Sequence, residues 1–346
     1  MDINFFMESD FNGNSIREKA VGGTESALIY MARELALLGH SVVAYTKAPG
    51  AGRIDGVEYR NMRDLDFGSS PDVLVSMRDF EVLKFSNARL KVYWIQDAPD
   101  QPIVQTRIHD WPSADMIFTV SSWQAGEFMR CYNMPRERLF VTRNGVDKAS
   151  FCGEAPERTE GRLVYASAPY RGLETLLEAF PEIRKLVPGA ELRICGELAG
   201  HVGKDTEFYA QLYEKARELG ANVTGGLKKA AFISELMSSS VMAYPNSFAE
   251  TSCIAALESQ AAGTPLVTTA LGALPETVKG GILIEGNGRG DNYRKRFVRE
   301  VASLLNDRQR WQELSRAGRE HVLSRHTWDM IAGEWEQKFR QALEHR

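Results

Sequence analysis

Two glutamates stand eight positions apart in the stretch FAETSCIAALESQAAGTPLV, residues 248–267. The first, Glu250, follows a strand-like run, whereas the second, Glu258, lies among the apolar residues of a predicted helix over 251–262. A carboxylate on a buried stripe costs free energy unless a polar partner compensates for its lost hydration. Glu258 therefore either lies on the solvated face of this helix or binds a polar ligand.

The surroundings of Glu250 indicate what such a ligand would be. The loop NSFAE leads from the strand into the helix, which is expected to begin at Thr251 or Ser252, so the amides of Ser252 and Cys253 point from the helix end beside Glu250. Amides at a helix N-terminus favour an anion, usually a phosphate. A carboxylate accepts hydrogen bonds from a pair of vicinal hydroxyls. A nucleotide sugar offers both features, because a diphosphate joins its sugar hydroxyls to those of its ribose.

A second turn also predicts anion binding. The segment YASAPYRGLETLLEAF, residues 165–180, places Arg171 directly before Gly172 at a helix start. A guanidinium beside the positive end of a helix favours a diphosphate, and Ser167 adds a hydroxyl to the same site. The alternative is that Arg171 is a solvated surface arginine.

Gly22 and Gly23 precede a third helix, in the sequence VGGTESALIYMARELALLGH. Glycines at a helix N-terminus let the backbone amides approach a phosphate closely. The alternative is a tight turn with Thr24 as the N-cap and Glu25 favourably placed in the first turn.

The elements that must position these residues follow one another in two similar series. In the first series strands are predicted at 3–7, 41–45, 72–77, 90–95, 115–120 and 139–143, and helices at 24–38, 79–86 and 122–132. In the second series strands are predicted at 163–167, 191–195, 240–244 and 265–269, and helices at 172–186, 206–219, 228–238, 251–262, 290–306, 307–324 and 327–344.

This alternation predicts two α/β domains, each a parallel sheet with helices on both faces. The join is expected in the polar stretch at 144–162. Because open α/β sheets bind ligands beyond the carboxyl ends of their strands, the site is expected in a cleft between two Rossmann-like domains.

Composition agrees with this organisation. The chain has 346 residues, too many for one compact core, and 43% of them are hydrophobic. A net charge of −4 argues against nucleic-acid binding. No apolar run approaches the roughly 20 residues of a membrane span, and the N-terminus lacks the features of a signal peptide, so a cytoplasmic protein is expected. Four cysteines without paired spacing are expected to be reduced, mostly in the core: Cys131, Cys152, Cys195 and Cys253.

On the basis of its motifs, the chain resembles the retaining family 4 glycosyltransferases, which have the GT-B fold. The resemblance rests on the E-x7-E spacing of Glu250 and Glu258 with the AAGTPLVTTALGALPETV that follows. GGTE, VSSWQAGEF (120–128), VTRNGVD (141–147) and HTWDMIAGEW (326–335) are similar to the same family in the same order.

The resemblance implies roles for individual residues. Glu250 would face the donor sugar, Glu258 the nucleotide ribose and Arg171 the diphosphate. Asp97 fills the aspartate position of a His-Asp motif, with Gln96 in the place of the histidine. The catalytic residues implied are Asp97, Arg171 and Glu250, and the donor-binding residues are Gly22, Gly23, Ser167, Arg171, Glu250, Thr251, Ser252, Cys253 and Glu258.

The resemblance also implies which domain binds the donor and which lies on the acceptor side. Residues 1–150, with a last helix over 330–346 that crosses back, form the acceptor-side domain, and residues 151–329 bind the donor. Three features depart from the family: its glycine-arginine pair before Arg171 is absent, Thr251-Ser252-Cys253 replaces its Phe-Gly, and Gln96 replaces the histidine of its His-Asp motif.

The predicted function is retaining transfer of a sugar from a nucleotide-diphosphate sugar to an acceptor hydroxyl, without a cofactor. The acceptor is a glycan, a lipid-linked molecule or a small molecule, with peripheral membrane association left open. The alternatives are a nucleotide-sugar epimerase of the same fold and a non-catalytic nucleotide-sugar-binding protein.

No catalytic metal is predicted. Asp64 and Asp66 form the D-x-D pattern with which another glycosyltransferase fold binds a divalent cation. They lie in a polar loop of the first domain, away from the helix ends assigned to the phosphates.

Overall fold

The computed structural model describes residues 1–48, 52–196 and 206–345. These residues form two units: unit 1 is Met1–Gly145 with His326–Arg346, and unit 2 is Val146–Arg325. The sequence places the domain boundaries a few residues later at both crossings, at 150 and 329.

The strands lie in both units. In chain order they are β1 Asp2–Met7, β2 Ser41–Thr46, β3 Gly52–Ile54, β4 Val57–Asn61, β5 Val73–Met77, β6 Leu90–Ile95, β7 Met116–Thr119, β8 Leu139–Val141, β9 Arg162–Tyr165, β10 Glu191–Ile194, β11 Asn222–Val223, β12 Val241–Tyr244, β13 Leu266–Thr269 and β14 Gly281–Ile284.

Most of the helices lie between strands in the chain, and the last three follow one another. In chain order they are α1 Ser15–Glu18, α2 Gly23–Leu37, α3 Glu81–Phe85, α4 Pro102–Gln105, α5 Ser122–Tyr132, α6 Leu173–Leu186, α7 Thr206–Glu218, α8 Lys229–Ser238, α9 Ile254–Ala261, α10 Leu274–Thr277, α11 Asp291–Asn306, α12 Arg308–Arg325 and α13 Trp328–Glu344. Short 3₁₀ turns span Met62–Asp64, Ile108–Ser113, Arg136–Arg138, Lys148–Phe151 and Pro169–Arg171.

Unit 1 is built on an eight-stranded sheet in the order β3-β4-β2-β1-β5-β6-β7-β8, counted over the described residues. Its strands pair in parallel except for the β3–β4 hairpin at one edge. The central strand β5 is buried along its whole length. Continuous burial of this kind is expected for parallel strands with both faces covered.

The last helix, α13, packs on unit 1 although unit 2 precedes it in the chain. The side chain of Trp335, in α13, is fully buried. Its ring centroid lies 4.7 Å from that of Trp94, and its indole nitrogen donates a hydrogen bond to Thr142 Oγ1 at 2.8 Å. The α13 helix also packs against α2. The predicted return of the last helix to the first domain agrees with this packing.

Unit 2 is built on a parallel sheet in the order β11-β10-β9-β12-β13-β14. Helix α6 packs against α11, while α9 packs against α8 and α12. Apolar residues of the strands and of these helices form one continuous core. The strand β12 lies centrally, so the loop at its carboxyl end emerges from the middle of the sheet.

Several elements differ from the sequence prediction. The strands β3, β4, β11 and β14 were not predicted, because three are short or polar and β14 begins at the second glycine of a Gly-Gly pair that indicates a turn. Most of the cysteines were expected in the core, but the side chains of Cys131 and Cys152 are exposed; all four thiols are free.

Candidate active site

Glu250 is held in a fixed position at the carboxyl end of β12. Its side chain is buried, and its carbonyl accepts from the amide of Ala273 at 2.7 Å. The turn that packs against it contains Gly272 at φ +62°, where a Cβ would lie 2.4 Å from the Glu250 carbonyl oxygen. Only glycine fits this close approach. The backbone that carries the carboxylate is therefore fixed by the turn at Gly272 and Ala273.

Two donors converge on one oxygen of this carboxylate. Arg171 Nη1 donates to Glu250 Oε1 at 2.9 Å, and the Tyr244 hydroxyl donates to the same oxygen at 2.6 Å. The Ser167 hydroxyl lies 3.3 Å from the Tyr244 oxygen and donates to it, since the tyrosine proton is already directed at Glu250. The structure thus brings together Ser167, Arg171 and Glu250 as expected, and adds Tyr244, which the sequence prediction missed.

Arg171 is a fixed cation rather than a solvated surface arginine. It ends the 3₁₀ turn Pro169–Arg171, and Gly172 follows at φ +119°, where a Cβ would meet the Pro245 carbonyl oxygen at 2.1 Å. Its guanidinium lies over the ring of Phe248, 4.3 Å from the centroid. Burial alone would lower the pKa of Arg171, but the Glu250 carboxylate outweighs this effect and raises the pKa well above its usual value.

The burial of Glu258 distinguishes between the solvated helix face and the polar partner considered from the sequence. Glu258 is 4% exposed, so it does not lie on a solvated face of α9. Its Oε1 accepts from Lys229 Nζ at 2.7 Å, in an ion pair between α9 and the first residue of α8. The sequence prediction missed Lys229, because it is one of two adjacent lysines before a helix and nothing local distinguishes it.

The helix after Glu250 starts later than predicted. It begins at Ile254, not at Thr251 or Ser252, because Cys253 precedes it as the N-cap with φ +70° and ψ +81°. This left-handed conformation cannot continue into a helix. Burial, and next the nearby Glu250, raise the pKa of the Cys253 thiol well above its usual value, so the thiol stays protonated.

Asp97 lies in unit 1, directly beyond the end of β6. Its carboxylate is gripped at both oxygens by Arg78, with Nε to Oδ2 at 2.9 Å and Nη2 to Oδ1 at 3.1 Å. Arg78 itself has φ +63°, an uncommon conformation for a residue with a side chain. The Gln124 side-chain amide donates to the Asp97 carbonyl at 2.9 Å. Asp97 is therefore positioned by residues 19 and 27 places away in the chain.

The turn at Gly22 and Gly23 in unit 1 lies against an acidic side chain, that of Glu25. Helix α2 begins at Gly23 with Gly22, not Thr24, as the N-cap. The Glu25 carboxylate folds over the turn, so a Cβ on Gly22 would lie 2.5 Å from Glu25 Oε2. A carboxylate at the third position of a helix compensates for the positive charge of its N-terminus.

The predicted site residues thus fall into two sets. Unit 2 holds Ser167, Arg171, Glu250, Thr251, Ser252, Cys253 and Glu258, and unit 1 holds Gly22, Gly23 and Asp97. In the D-x-D loop of unit 1, Asp66 Oδ1 accepts from the amide of Gly68 at 2.8 Å. Among the described residues, no three His, Cys, Asp or Glu side chains gather as a metal would require.

Comparisons with solved structures define the class of fold. Sucrose-phosphate synthase from Thermosynechococcus elongatus matches with a TM-score of 0.78 at 14% identity, covering 100% of both chains. Alr3699/HepE of Anabaena, in complex with UDP and glucose, matches with a TM-score of 0.73 at 16% identity over 98% of this chain and 99% of that one. The fold is GT-B, as predicted from the sequence.

The family follows from the sequence of unit 2. Residues 162–321 match the model of the family "Glycosyl transferases group 1". This match confirms, for this part of the chain, the resemblance stated from the E-x7-E motif.

Curated relatives agree with this assignment. A glycogen synthase of Mycobacterium tuberculosis is 28% identical over 224 residues, which are 63% of this chain and 52% of the relative. The GDP-mannose-dependent alpha-(1-6)-phosphatidylinositol monomannoside mannosyltransferase of the same organism is 29% identical over 254 residues, 66% of this chain and 62% of the relative. The chain thus spans between about half and two thirds of these relatives.

No helix in the part of the chain that the structure describes is long and apolar enough to cross a membrane.

Proposed function

We propose that this protein transfers a sugar from a nucleoside-diphosphate sugar to an acceptor hydroxyl with retention of configuration at the anomeric carbon. The observation that carries the proposal is the cluster of Arg171, Tyr244 and Glu250 at the end of β12, in the domain that matches the glycosyltransferase family. A cation, a hydroxyl and a carboxylate converge there beside the start of a helix.

The donor would bind in unit 2. Arg171 and the amides that begin α9 supply positive potential for the diphosphate. Glu258 accepts a hydrogen bond from the ribose, and Glu250 accepts one from the transferred sugar. Relatives support a nucleotide sugar, since one is described as GDP-mannose-dependent and the HepE structure holds UDP and glucose.

The protein's contribution to catalysis would be positioning and electrostatics. Negative charge grows on the leaving diphosphate as the glycosidic bond breaks, and Arg171 stabilises that charge from a fixed position. The leaving phosphate oxygen takes the proton of the acceptor hydroxyl, which then attacks the same face of the sugar. In this proposal the positive groups of the chain replace a metal ion.

Asp97 would act on the acceptor. Its carboxylate is oriented by Arg78, so it accepts a hydrogen bond from a hydroxyl in a defined direction. The relatives act on glycans, on an inositol phosphate and on a phosphatidylinositol mannoside according to their names, all of which are polyols. We extend the proposal to a cytoplasmic protein with a polyol acceptor, and to association with a membrane surface if that acceptor is lipid-linked.

The test is transfer from a panel of UDP-glucose, GDP-mannose and ADP-glucose to a mixture of oligosaccharides, simple glycosides and inositol phosphate. Wild type is expected to form a glycoside whose anomeric configuration, read by proton NMR, equals that of the donor. Glu250→Gln is expected to lose most of this activity, while the control Glu174→Gln, at an exposed position on α6, retains it.

Three results separate the alternatives. An inverted product contradicts the retaining mechanism. Turnover of the donor without any acceptor favours the epimerase, and binding without turnover favours the non-catalytic protein.

A further inference from the structure

The Lys229–Glu258 ion pair is more deeply buried than a surface pair. The lysine side chain is 15% exposed and the glutamate side chain 5%, with Nζ and Oε1 at 2.7 Å. The ammonium also lies 5.5 Å from the centroid of the Phe232 ring. Both charged groups have therefore lost most of their hydration in forming the ion pair.

Stability alone does not account for such a pair. Removing two charges from water costs several kcal/mol per ion, and well-packed apolar residues in their place are often as stable or more stable. A pair that adds little to stability is better explained by what it offers to a ligand.

The chemistry of the pair suits a vicinal diol. A carboxylate only accepts hydrogen bonds, whereas an ammonium donates three, of which Lys229 directs one at Glu258. Each hydroxyl of a ribose both donates and accepts. Glu258 alone satisfies only the donating side of these hydroxyls, and Lys229 supplies the complementary donor beside it.

We propose that Lys229 is a ribose-contacting residue that makes the donor site selective for ribonucleotides. Lys229 donates to a ribose hydroxyl oxygen while Glu258 accepts from a ribose hydroxyl. This inference rests on the proposed function, because it assigns a ligand group to the donor site. It predicts that nucleotides lacking one of the two hydroxyls bind more weakly than the parent nucleotide, and that this difference in affinity depends on Lys229.

The experiment measures dissociation constants by calorimetry. UDP, GDP and ADP are compared first, and the tightest is then compared with its 2′-deoxy and 3′-deoxy forms. For at least one analogue, wild type is expected to bind about tenfold or more weakly than the parent nucleotide, the scale of a hydrogen bond to a charged group. In Lys229→Met this ratio is expected to fall to about two or less, through weaker binding of the parent nucleotide.

Two further variants separate ribose recognition from structural support. Arg193→Met removes the cation of another partly buried pair, Arg193–Glu235 at 3.2 Å, whose acid lies on the same helix α8. Its selectivity ratio is expected to equal that of wild type. The double variant Lys229→Met/Glu258→Gln buries no unpaired charge, and its ratio is also expected to be about two or less.

The outcomes distinguish the inference from the proposed function. An unchanged ratio in Lys229→Met overturns the role of Lys229 and leaves the proposed function intact. If wild type binds none of the three nucleotides, the proposed function fails and the ribose site fails with it.

Discussion

Tyr244, the last residue of β12, donates a hydrogen bond from its hydroxyl to Oε1 of Glu250, in the loop that follows the strand, at 2.6 Å. The tyrosine is fully buried, and burial, followed by the nearby Glu250 charge, raises the pKa of its hydroxyl well above the usual value. The phenol therefore remains a donor at all working pH values. It fixes one carboxylate oxygen, together with Arg171, and so sets the direction of the other.

Tyr244→Phe should lower the rate of transfer without changing nucleotide affinity. The variant removes a hydrogen bond to a charged group, worth about 1.5–3 kcal/mol, from the residue that we assign to the donor sugar. The measurement is kcat with the affinity for the nucleoside diphosphate determined in parallel. Tyr165→Phe is the matched control, because this neighbouring buried tyrosine donates to the Ala168 carbonyl at 2.7 Å and not to Glu250. Equal losses in the two variants would contradict the positioning role.

Arg171→Ala should weaken the binding of the nucleoside diphosphate by about 1.5–3 kcal/mol, because a charged hydrogen-bond donor is lost. The nucleoside without phosphates should bind the variant and wild type alike, as titration calorimetry can establish. Arg184→Ala is the control, since Arg184 also lies over an aromatic ring, Phe180, at 4.7 Å but belongs to the far end of α6. A loss shared by the nucleoside would mean that Arg171 supports the fold instead.

The residues that sequence reasoning found share a local signal. Glu250 and Glu258 are marked by their spacing, and Arg171 by its place between a strand and a helix. The residues it missed, Tyr244 and Lys229, have meaning only through their partners. Lys229 lies 29 positions from Glu258, and no local pattern shows which of two adjacent lysines will meet a given acid.

Helices and strands were predicted well where the hydrophobic periodicity extends over a long segment. Helix α5 has the predicted bounds, whereas α9 starts late because the left-handed conformation of Cys253 follows from packing and not from residue type. The strands β3 and β4, at one end of the unit 1 sheet, carry too few apolar residues to be recognised.

Arg78→Met should raise the KM for the acceptor by about tenfold or more, since Asp97 loses both hydrogen bonds that orient it. Nucleotide affinity should not change, because the diphosphate and ribose contacts that we propose are made by Arg171 and Glu258 of unit 2. Arg89→Met serves as the control: its exposed ion pair with Asp72, at 2.8 Å, belongs to a class that contributes little. A change in nucleotide affinity without any change in acceptor KM would refute the assignment of Asp97 to the acceptor.

The four thiols should react in two classes. Burial raises the pKa of Cys195 to about 11, and the pKa of the half-buried Cys253 is shifted in the same direction, so both thiols are expected to stay protonated and to react slowly at pH 8. Cys131 and Cys152 are exposed. Titration with Ellman's reagent should give two fast equivalents in the native protein and four after denaturation. The variant Cys131→Ser/Cys152→Ser should lack the fast phase; persistence of that phase would contradict the assignment.

Transfer should survive removal of divalent cations. Arg171 and the start of α9 provide positive potential where other glycosyltransferases use a metal ion. Activity in EDTA should equal activity without it, and Asp64→Ala/Asp66→Ala should have nearly the wild-type rate. If EDTA abolishes transfer and Mn²⁺ restores it, the diphosphate is bound in some other way.

The return of α13 to unit 1 sets an order of events during synthesis on the ribosome. Unit 2 is one uninterrupted segment, so its whole sheet can assemble once residue 325 has left the exit tunnel. Unit 1 is made first but lacks the buried rings of Trp328, Trp335 and Phe339 until the final helix emerges. Until then the apolar surface around Trp94 and Phe118 is uncovered, and a nascent chain in that state is open to chaperone capture and to aggregation. The unit whose strands are synthesised before those of unit 2 therefore completes its folding after unit 2.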